Sequence, residues 1–122
     1  MMKQILLSLI LSTILFSACT KKESQRPSVI YISGTVSDKT NSSPLDSVSI
    51  ILSEDRGGVI SSVLIPLKTY STNSSGEFSF NYSQNKERYS YELEFSKDLY
   101  TVEKVHLDKD IEKQHFNIQL IK

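Results

Sequence analysis

Three short stretches of the chain carry apolar side chains at every second position. These are residues 77–82, 89–95 and 116–121. A β-strand points successive side chains to opposite faces, so this spacing predicts strands with one face in a core. The apolar face is formed by Phe78, Phe80 and Tyr82, then Tyr89, Tyr91, Leu93 and Phe95, and finally Phe116, Ile118 and Leu120.

Further strands are predicted upstream and between these stretches. Residues 30–37 and 48–53 are rich in β-branched side chains, which suit a pleated surface. Because Ile51 makes the second of these runs apolar on both faces, that strand is expected to be covered on both sides. Residues 100–107 are less regular, which suggests a bulge.

Turn-forming residues separate the predicted strands. Residues 38–44 combine Asp, Asn, Ser and Pro, residues 83–88 are polar, and Gly76 in the 73–76 segment suits a tight turn with positive φ. No ten-residue stretch shows sustained helical spacing after the amino-terminal 18 residues. The pattern predicts an all-β fold, an antiparallel β-sandwich.

The amino-terminal residues have the parts of a secretory signal. Lys3 precedes an apolar stretch over residues 5–16, and small residues lead to Cys19, the sole cysteine. An ordinary cleaved signal with an incidental cysteine is one interpretation. The run over residues 14–19 also resembles the lipobox of bacterial lipoproteins, although Phe16 stands where that family usually has Leu. The resemblance implies that residues 1–18 are removed and that Cys19 carries the lipid.

The residues after Cys19 indicate how the domain is attached. Residues 19–28 are polar and charged and are predicted to form a flexible tether ahead of one domain over residues 29–122. Within the lipoprotein resemblance, Thr20 favours the outer membrane over the inner membrane. Residues 21–23 lack the acidic cluster that directs some lipoproteins outward, which favours the periplasmic face over the cell surface.

Four segments of the predicted domain follow one another in a distinctive order. They read SGTVSD at 33–38, PLDSVSI at 44–50, TNSSGEFSF at 72–80 and YELEFSKDLY at 91–100. Together they resemble the carboxypeptidase regulatory-like domain. The resemblance implies a seven-stranded, transthyretin-like Greek-key β-sandwich, with Leu99 at a position where the family usually has Gly.

Composition narrows the possible partners. Lys plus Arg and Asp plus Glu both number 14, so the formal net charge is zero and no basic stripe is present. This balance argues against a nucleic-acid partner. A single cysteine allows no internal disulfide, so the domain is expected to be stabilised by packing and strand pairing.

Candidate chemistry in the sequence is sparse. His106 and His115 are possible metal ligands, but two histidines without a third ligand are more often surface residues. Residues 108–112 lack the spacing of a calcium loop and are interpreted as a solvated hairpin turn. Glu92 and Glu94 share a predicted strand face, interpreted as an exposed polar face. No catalytic residue, metal site or cofactor is therefore expected, and the protein is predicted not to be an enzyme.

An apolar run over residues 59–67 is the most promising contact surface. Pro66 cannot donate to a ladder of hydrogen bonds, so the run is predicted to be an edge strand or a loop over a sheet. If exposed, its side chains would mark a partner contact. The alternative is that they cap the core or extend a hairpin. The candidate contact residues are Val59, Ile60, Val63, Leu64 and Ile65.

These observations favour a non-catalytic, lipid-anchored envelope protein whose β-sandwich binds or scaffolds another envelope component. Its expected partners are the membrane, through the amino-terminal lipid, and an envelope protein or a glycan. The alternative is a carbohydrate-binding accessory module, which needs solvent-facing Tyr70, Tyr82 or Tyr100 as a stacking platform. A small metal-dependent enzyme would need His106 and His115 to converge with an acid.

Overall fold

The chain folds into strands only, over the part that a computed structural model describes, which is residues 26–57, 61–84 and 89–122. Within these ranges no helix is long and apolar enough to cross a membrane. The described strands are β1 Val29–Asp38, β2 Ser49–Asp55, β3 Leu64–Ser71, β4 Glu77–Ser83, β5 Ser90–Ser96, β6 Glu103–His106 and β7 Lys113–Leu120. Residues 1–25, which include the predicted signal and Cys19, lie outside the described residues.

The strands form two sheets that pack as a β-sandwich. One sheet has three strands in the order β4-β1-β7, and the other has four in the order β3-β2-β5-β6. The β1–β7 pairing is parallel, with Tyr31 opposite Lys113 and Val36 opposite Ile118, so the expectation of a purely antiparallel sandwich was wrong here. The other strand pairs are antiparallel. Because β1 and β7 lie far apart in sequence, no short turn constrains their relative direction.

The core lies between the two sheets and follows the predicted alternation. In β4 the three aromatic residues are buried and the polar residues between them are exposed. Phe78 packs against Phe95 of the opposite sheet, with ring centroids 5.5 Å apart. The side chains with almost no exposure include Ile30, Ile32, Val36, Ile50, Leu52, Tyr91, Leu93 and Phe95.

Two details of the predicted strands come out differently. Residues 100–107 do not contain a bulge. Their irregular spacing arises because β6 begins only at Glu103 and pairs with β5 in unbroken register. Ile51 is half-buried, so the outer face of β2 is covered only in part. Gly76 has the predicted positive φ, 70°.

The sandwich has two ends that differ in the segments they carry. The proximal end is where β1 begins and β2 ends, and Gln84 Nε2 holds it together by donating to Pro27 O at 2.6 Å and Lys109 O at 2.9 Å. The distal end is where β1 ends, near the turn that leads from β5 into β6. The amino-terminal segment therefore joins the domain at the proximal end.

Candidate binding surface

The loop that joins β2 to β3 is organised by one carboxylate. Asp55, the last residue of β2, accepts hydrogen bonds from Ser62 Oγ at 2.7 Å, Gly57 N at 2.9 Å and Val63 N at 3.2 Å. The Ser62 hydroxyl, then the Gly57 amide, lower the pKa of the Asp55 carboxyl. Arg56 N also donates to Val63 O at 2.9 Å, so the two ends of the loop are fixed against each other.

Close packing inside this loop requires a glycine. A Cβ added at Gly57 would lie 2.0 Å from Ser61 O and 2.7 Å from Val63 N. Arg56 lies beside the glycine and pairs with the buried Glu54, Nε to Oε1 2.5 Å. The loop is thus held by specific contacts at both its start and its end.

Apolar side chains project from the end of this loop and from β3 into solvent. Val63 is 50% exposed, Leu64 38% and Leu67 45%, and we call these three residues the apolar strip. Ile65 is half-buried because its neighbour across the ladder, Glu54, faces the interior. Val59 and Ile60, the remaining predicted contact residues, lie outside the described residues.

Leu64 and Leu67 of the apolar strip lie on an edge strand, which is one of the two arrangements that Pro66 predicted, and the segment also extends a β2–β3 hairpin. The Arg56–Val63 bond marks that pair as hydrogen-bonded, and such pairs alternate along an antiparallel ladder. Ser53 and Pro66 are then a non-hydrogen-bonded pair, so the Pro66 nitrogen faces away from β2. The missing N–H therefore lies on the open edge, where an added strand would need it.

A bulge and a basic side chain further modify this edge. The ladder shifts register between Leu52 and Ser53, which leaves Leu67 as the extra residue of β3. Lys68 follows and lies 5.2 Å from the centre of the Tyr70 ring. Proline, bulges and lysine are all features that block the addition of another strand to a sheet edge. The strip is therefore suited to contacts between side chains more than to strand addition.

The tyrosines proposed for a stacking platform do not form one. Tyr82 is 7% exposed and packs in the core. Tyr70 stacks on Phe80 with centroids 3.9 Å apart, and Tyr100 is half-buried with its hydroxyl bonded to Asp38. Burial raises the pKa of Tyr82 and, to a smaller extent, that of Tyr70. Tyr31, which the sequence interpretation did not select, is 46% exposed.

The two histidines lie in different sheets. His106 is in β6 opposite Glu92, whereas His115 is in β7 opposite Ser33, whose hydroxyl lies 3.1 Å from His115 Nδ1. They are not neighbours across a ladder. Among the residues that the structure describes, no group of three His, Cys, Asp or Glu side chains is placed to hold a metal ion.

Two interpretations of acidic residues were wrong. Glu92 is 7% exposed, so the predicted exposed polar face is partly covered. Residues 108–112 do not form a hairpin turn, because they connect β6 of one sheet to β7 of the other. Gln114 closes this connection by donating from Nε2 to Asp108 O at 2.6 Å and Ile111 O at 2.9 Å.

Several exposed apolar residues were not among the contact residues predicted from the sequence. Leu67 is exposed because it is the bulged residue, and a single sequence carries no direct signal for that bulge. Ile111 is 48% exposed at the proximal end. At the distal end, the exposed apolar side chains are Leu99, Val102 and Ile121.

Comparison with known proteins supports the fold alone. No protein family and no curated protein matches the chain by sequence. The C-terminal domain of the shaft pilin SpaA from Lactobacillus rhamnosus GG is similar in structure, with a TM-score of 0.52 and 13% identity over 78% of this chain and 98% of that domain. A 9R-lipoxygenase from Cyanothece PCC8801 has a TM-score of 0.52 and 15% identity, and the match covers 84% of this chain but 18% of the lipoxygenase. These similarities define the class of fold, a β-sandwich domain.

Proposed function

We propose that the chain is a non-catalytic, lipid-anchored protein of the bacterial envelope, and that its β-sandwich binds or scaffolds another envelope component. The proposal of a lipid anchor is based on the resemblance of residues 14–19 to a lipobox, with Cys19 as the residue that carries the lipid. The residues that follow favour the periplasmic face of the outer membrane. The domain is further proposed to be a carboxypeptidase regulatory-like, transthyretin-like Greek-key sandwich, on the four ordered motifs of the sequence.

The single observation that carries the binding role is the exposed apolar strip of Val63, Leu64 and Leu67. Burying apolar surface against a partner is favourable by about 25 cal/mol per Å². Val63 and Leu64 are adjacent in the chain and Leu67 lies on the same strand edge, and grouped exposed apolar side chains mark contact sites more often than single ones do. Asp55 holds the Val63 backbone at the described end of the loop, so little ordering of this residue would be needed on binding.

The proposal is tested by crosslinking in intact cells, followed by mass spectrometry of the captured material. We expect crosslinks from residues near Val63 and Leu64 to another envelope component, and an amino-terminal peptide that begins at an acylated Cys19. An exposed position on the three-stranded sheet, Ser79, serves as a matched crosslinking control. An unmodified peptide that begins before Cys19 would overturn the lipid anchor, and equal crosslinking from Ser79 would overturn the binding role of the strip.

A second candidate function, glycan binding, is favoured by Tyr31. This side chain is 46% exposed and borders an open groove of about 600 Å³ that Asp110 and Glu112 also line. Ligand sites combine aromatic side chains with a few polar groups that fix the orientation of the ligand. Titration with oligosaccharides from envelope glycans would test it. Binding that Tyr31→Ala abolishes, while Tyr70→Ala leaves it unchanged, would favour this function.

A further inference from the structure

The amino-terminal segment is fastened to the proximal end before the first strand begins. Arg26 pairs with Asp110, Nε to Oδ1 3.3 Å, and the Pro27 carbonyl accepts a hydrogen bond from Gln84. Gln84 N also donates to Ser28 O at 2.9 Å. Any anchor upstream of Arg26 therefore acts on the proximal end of the sandwich.

The length of chain before Arg26 limits how far the domain can stand from its anchor. Arg26 lies seven positions after Cys19. An extended chain spans at most about 3.6 Å per residue, so this distance is no more than about 25 Å. The ten-residue strand β1 spans about 33 Å, so the distal end is held well away from the anchor.

The proximal end also presents apolar side chains to solvent. Val63 and Leu64 are 50% and 38% exposed beside one edge of the four-stranded sheet, and Ile111, 48% exposed, follows the strand at the other edge. Among the described residues of this end, Arg26 is paired with Asp110 and Arg56 with Glu54. Around Ile111 the described charged residues are three acids, Asp108, Asp110 and Glu112, and three bases, Arg26, Lys109 and Lys113, so the exposed apolar side chains lie among charges of balanced sign.

We propose that the proximal end faces the membrane and that Val63, Leu64 and Ile111 contact the phospholipid bilayer. This inference rests on the proposed function, since it needs the lipid on Cys19. It names the bilayer as the envelope component that Val63 and Leu64 of the apolar strip contact. The short tether supplies the reason for choosing lipid over a protein partner. Because the described charges around Ile111 balance in sign, the contact is expected to depend on the burial of apolar side chains and little on salt.

A fluorescent label tests the contact directly. In the acylated protein the Cys19 sulfur is a thioether, so Val63→Cys supplies a unique thiol for an environment-sensitive dye. Val102→Cys is the matched control, since Val102 is an exposed valine, 45%, at the distal end. Both labelled proteins, acylated, are placed in vesicles of phosphatidylethanolamine and phosphatidylglycerol that contain brominated lipid.

The expected result is at least about twofold quenching at position 63 and little at position 102, because apolar interfacial groups insert about 5–10 Å into the boundary of the acyl chains. Raising the salt concentration should leave the quenching unchanged. Quenching at neither position, or at both equally, overturns the proposal. If the dye at position 63 is unquenched in vesicles while the same position crosslinks to a protein in cells, its partner is a protein and the bilayer contact is wrong. The mass of the amino-terminal peptide is measured separately. A peptide with an unacylated Cys19 would show that the proposed lipid anchor is wrong, whatever the quenching result.

Discussion

The Tyr100 hydroxyl donates a 2.6 Å hydrogen bond to Asp38 Oδ2 and so ties the end of β1 to the turn that precedes β6. Asp38 is 5% exposed, and its other carboxylate oxygen accepts from Thr40 N at 2.7 Å. The Tyr100 bond and then the Thr40 amide lower the pKa of Asp38, and the same bond raises the pKa of Tyr100. The pair links the two sheets at the distal end.

The Asp38–Tyr100 pair predicts a pH-dependent cost for Tyr100→Phe. A carboxyl whose pKa is lowered by folding stabilises the fold above its unfolded value, about 3.9, and this contribution is lost as pH falls through the lowered folded value. Tyr100→Phe should therefore lower the urea midpoint at about pH 7, and the difference should shrink at about pH 2. Tyr31→Phe is the control and should match the unmodified chain at both pH values. A difference that does not change with pH would contradict the assignment.

The Tyr82 hydroxyl predicts a stabilising substitution. It is buried and has no hydrogen-bond partner among the described residues. A buried polar group left without a partner costs about 1–3 kcal/mol, whereas Phe fills the same volume without that group. Tyr82→Phe should raise the free energy of unfolding by about 1 kcal/mol in urea titrations. A clear loss of stability would show that the hydroxyl has a partner, for example an ordered water.

Leu99 predicts a second stabilising substitution. Its φ is 74°, in the left-handed region, and its side chain is 86% exposed, so little packing offsets the strain. Glycine adopts this conformation without steric cost, although it loses more entropy on folding. Leu99→Gly should stabilise the domain by up to about 1 kcal/mol. Val102→Gly, at an exposed position without positive φ, is the control and should be neutral or destabilising.

Gly34 predicts a destabilising substitution in the centre of the three-stranded sheet. A Cβ at this position would lie 2.0 Å from Phe116 O and 2.6 Å from Phe78 Cζ. Because a backbone carbonyl of β7 cannot easily move, Gly34→Ala should cost about 2–4 kcal/mol in urea titrations. Ser79→Ala, exposed on β4, should change stability by less than about 0.5 kcal/mol. Equal effects of the two changes would show that Gly34 of β1 does not lie against the Phe116 carbonyl of β7.

The local features of the fold were readable from the sequence, and the long-range ones were not. Alternation predicted β4 and β5, and Gly76 predicted a positive φ, because each reflects the chemistry of a short segment. Pro66 narrowed its segment to an edge strand or a loop over a sheet, and the structure has the edge strand. The parallel pairing of β1 with β7 depends on packing between segments far apart in the chain.

For the candidate surface too, the sequence predicted the features of a short segment and missed those that depend on distant residues. Val63 and Leu64 were chosen from their place in an apolar run after Gly57, and both are exposed. The exposure of Leu67 follows from the bulge, and that of Ile111 from a connection between sheets. The burial of Glu92 likewise depends on neighbours that alternation within one strand does not reveal.

Pro66 predicts the oligomeric behaviour of the edge strand. Its nitrogen faces the open edge of β3, and Leu67 bulges beside it, so a second copy cannot pair along this strand without losing a hydrogen bond. Pro66→Val restores an outward N–H in an apolar strand and should produce concentration-dependent dimers or larger species in sedimentation velocity. Thr69→Val adds a similar side chain on the same strand but restores no donor, so it should sediment like the unmodified chain. If both variants associate equally, added hydrophobicity is the cause. If neither does, the bulge and Lys68 block the edge without help from Pro66.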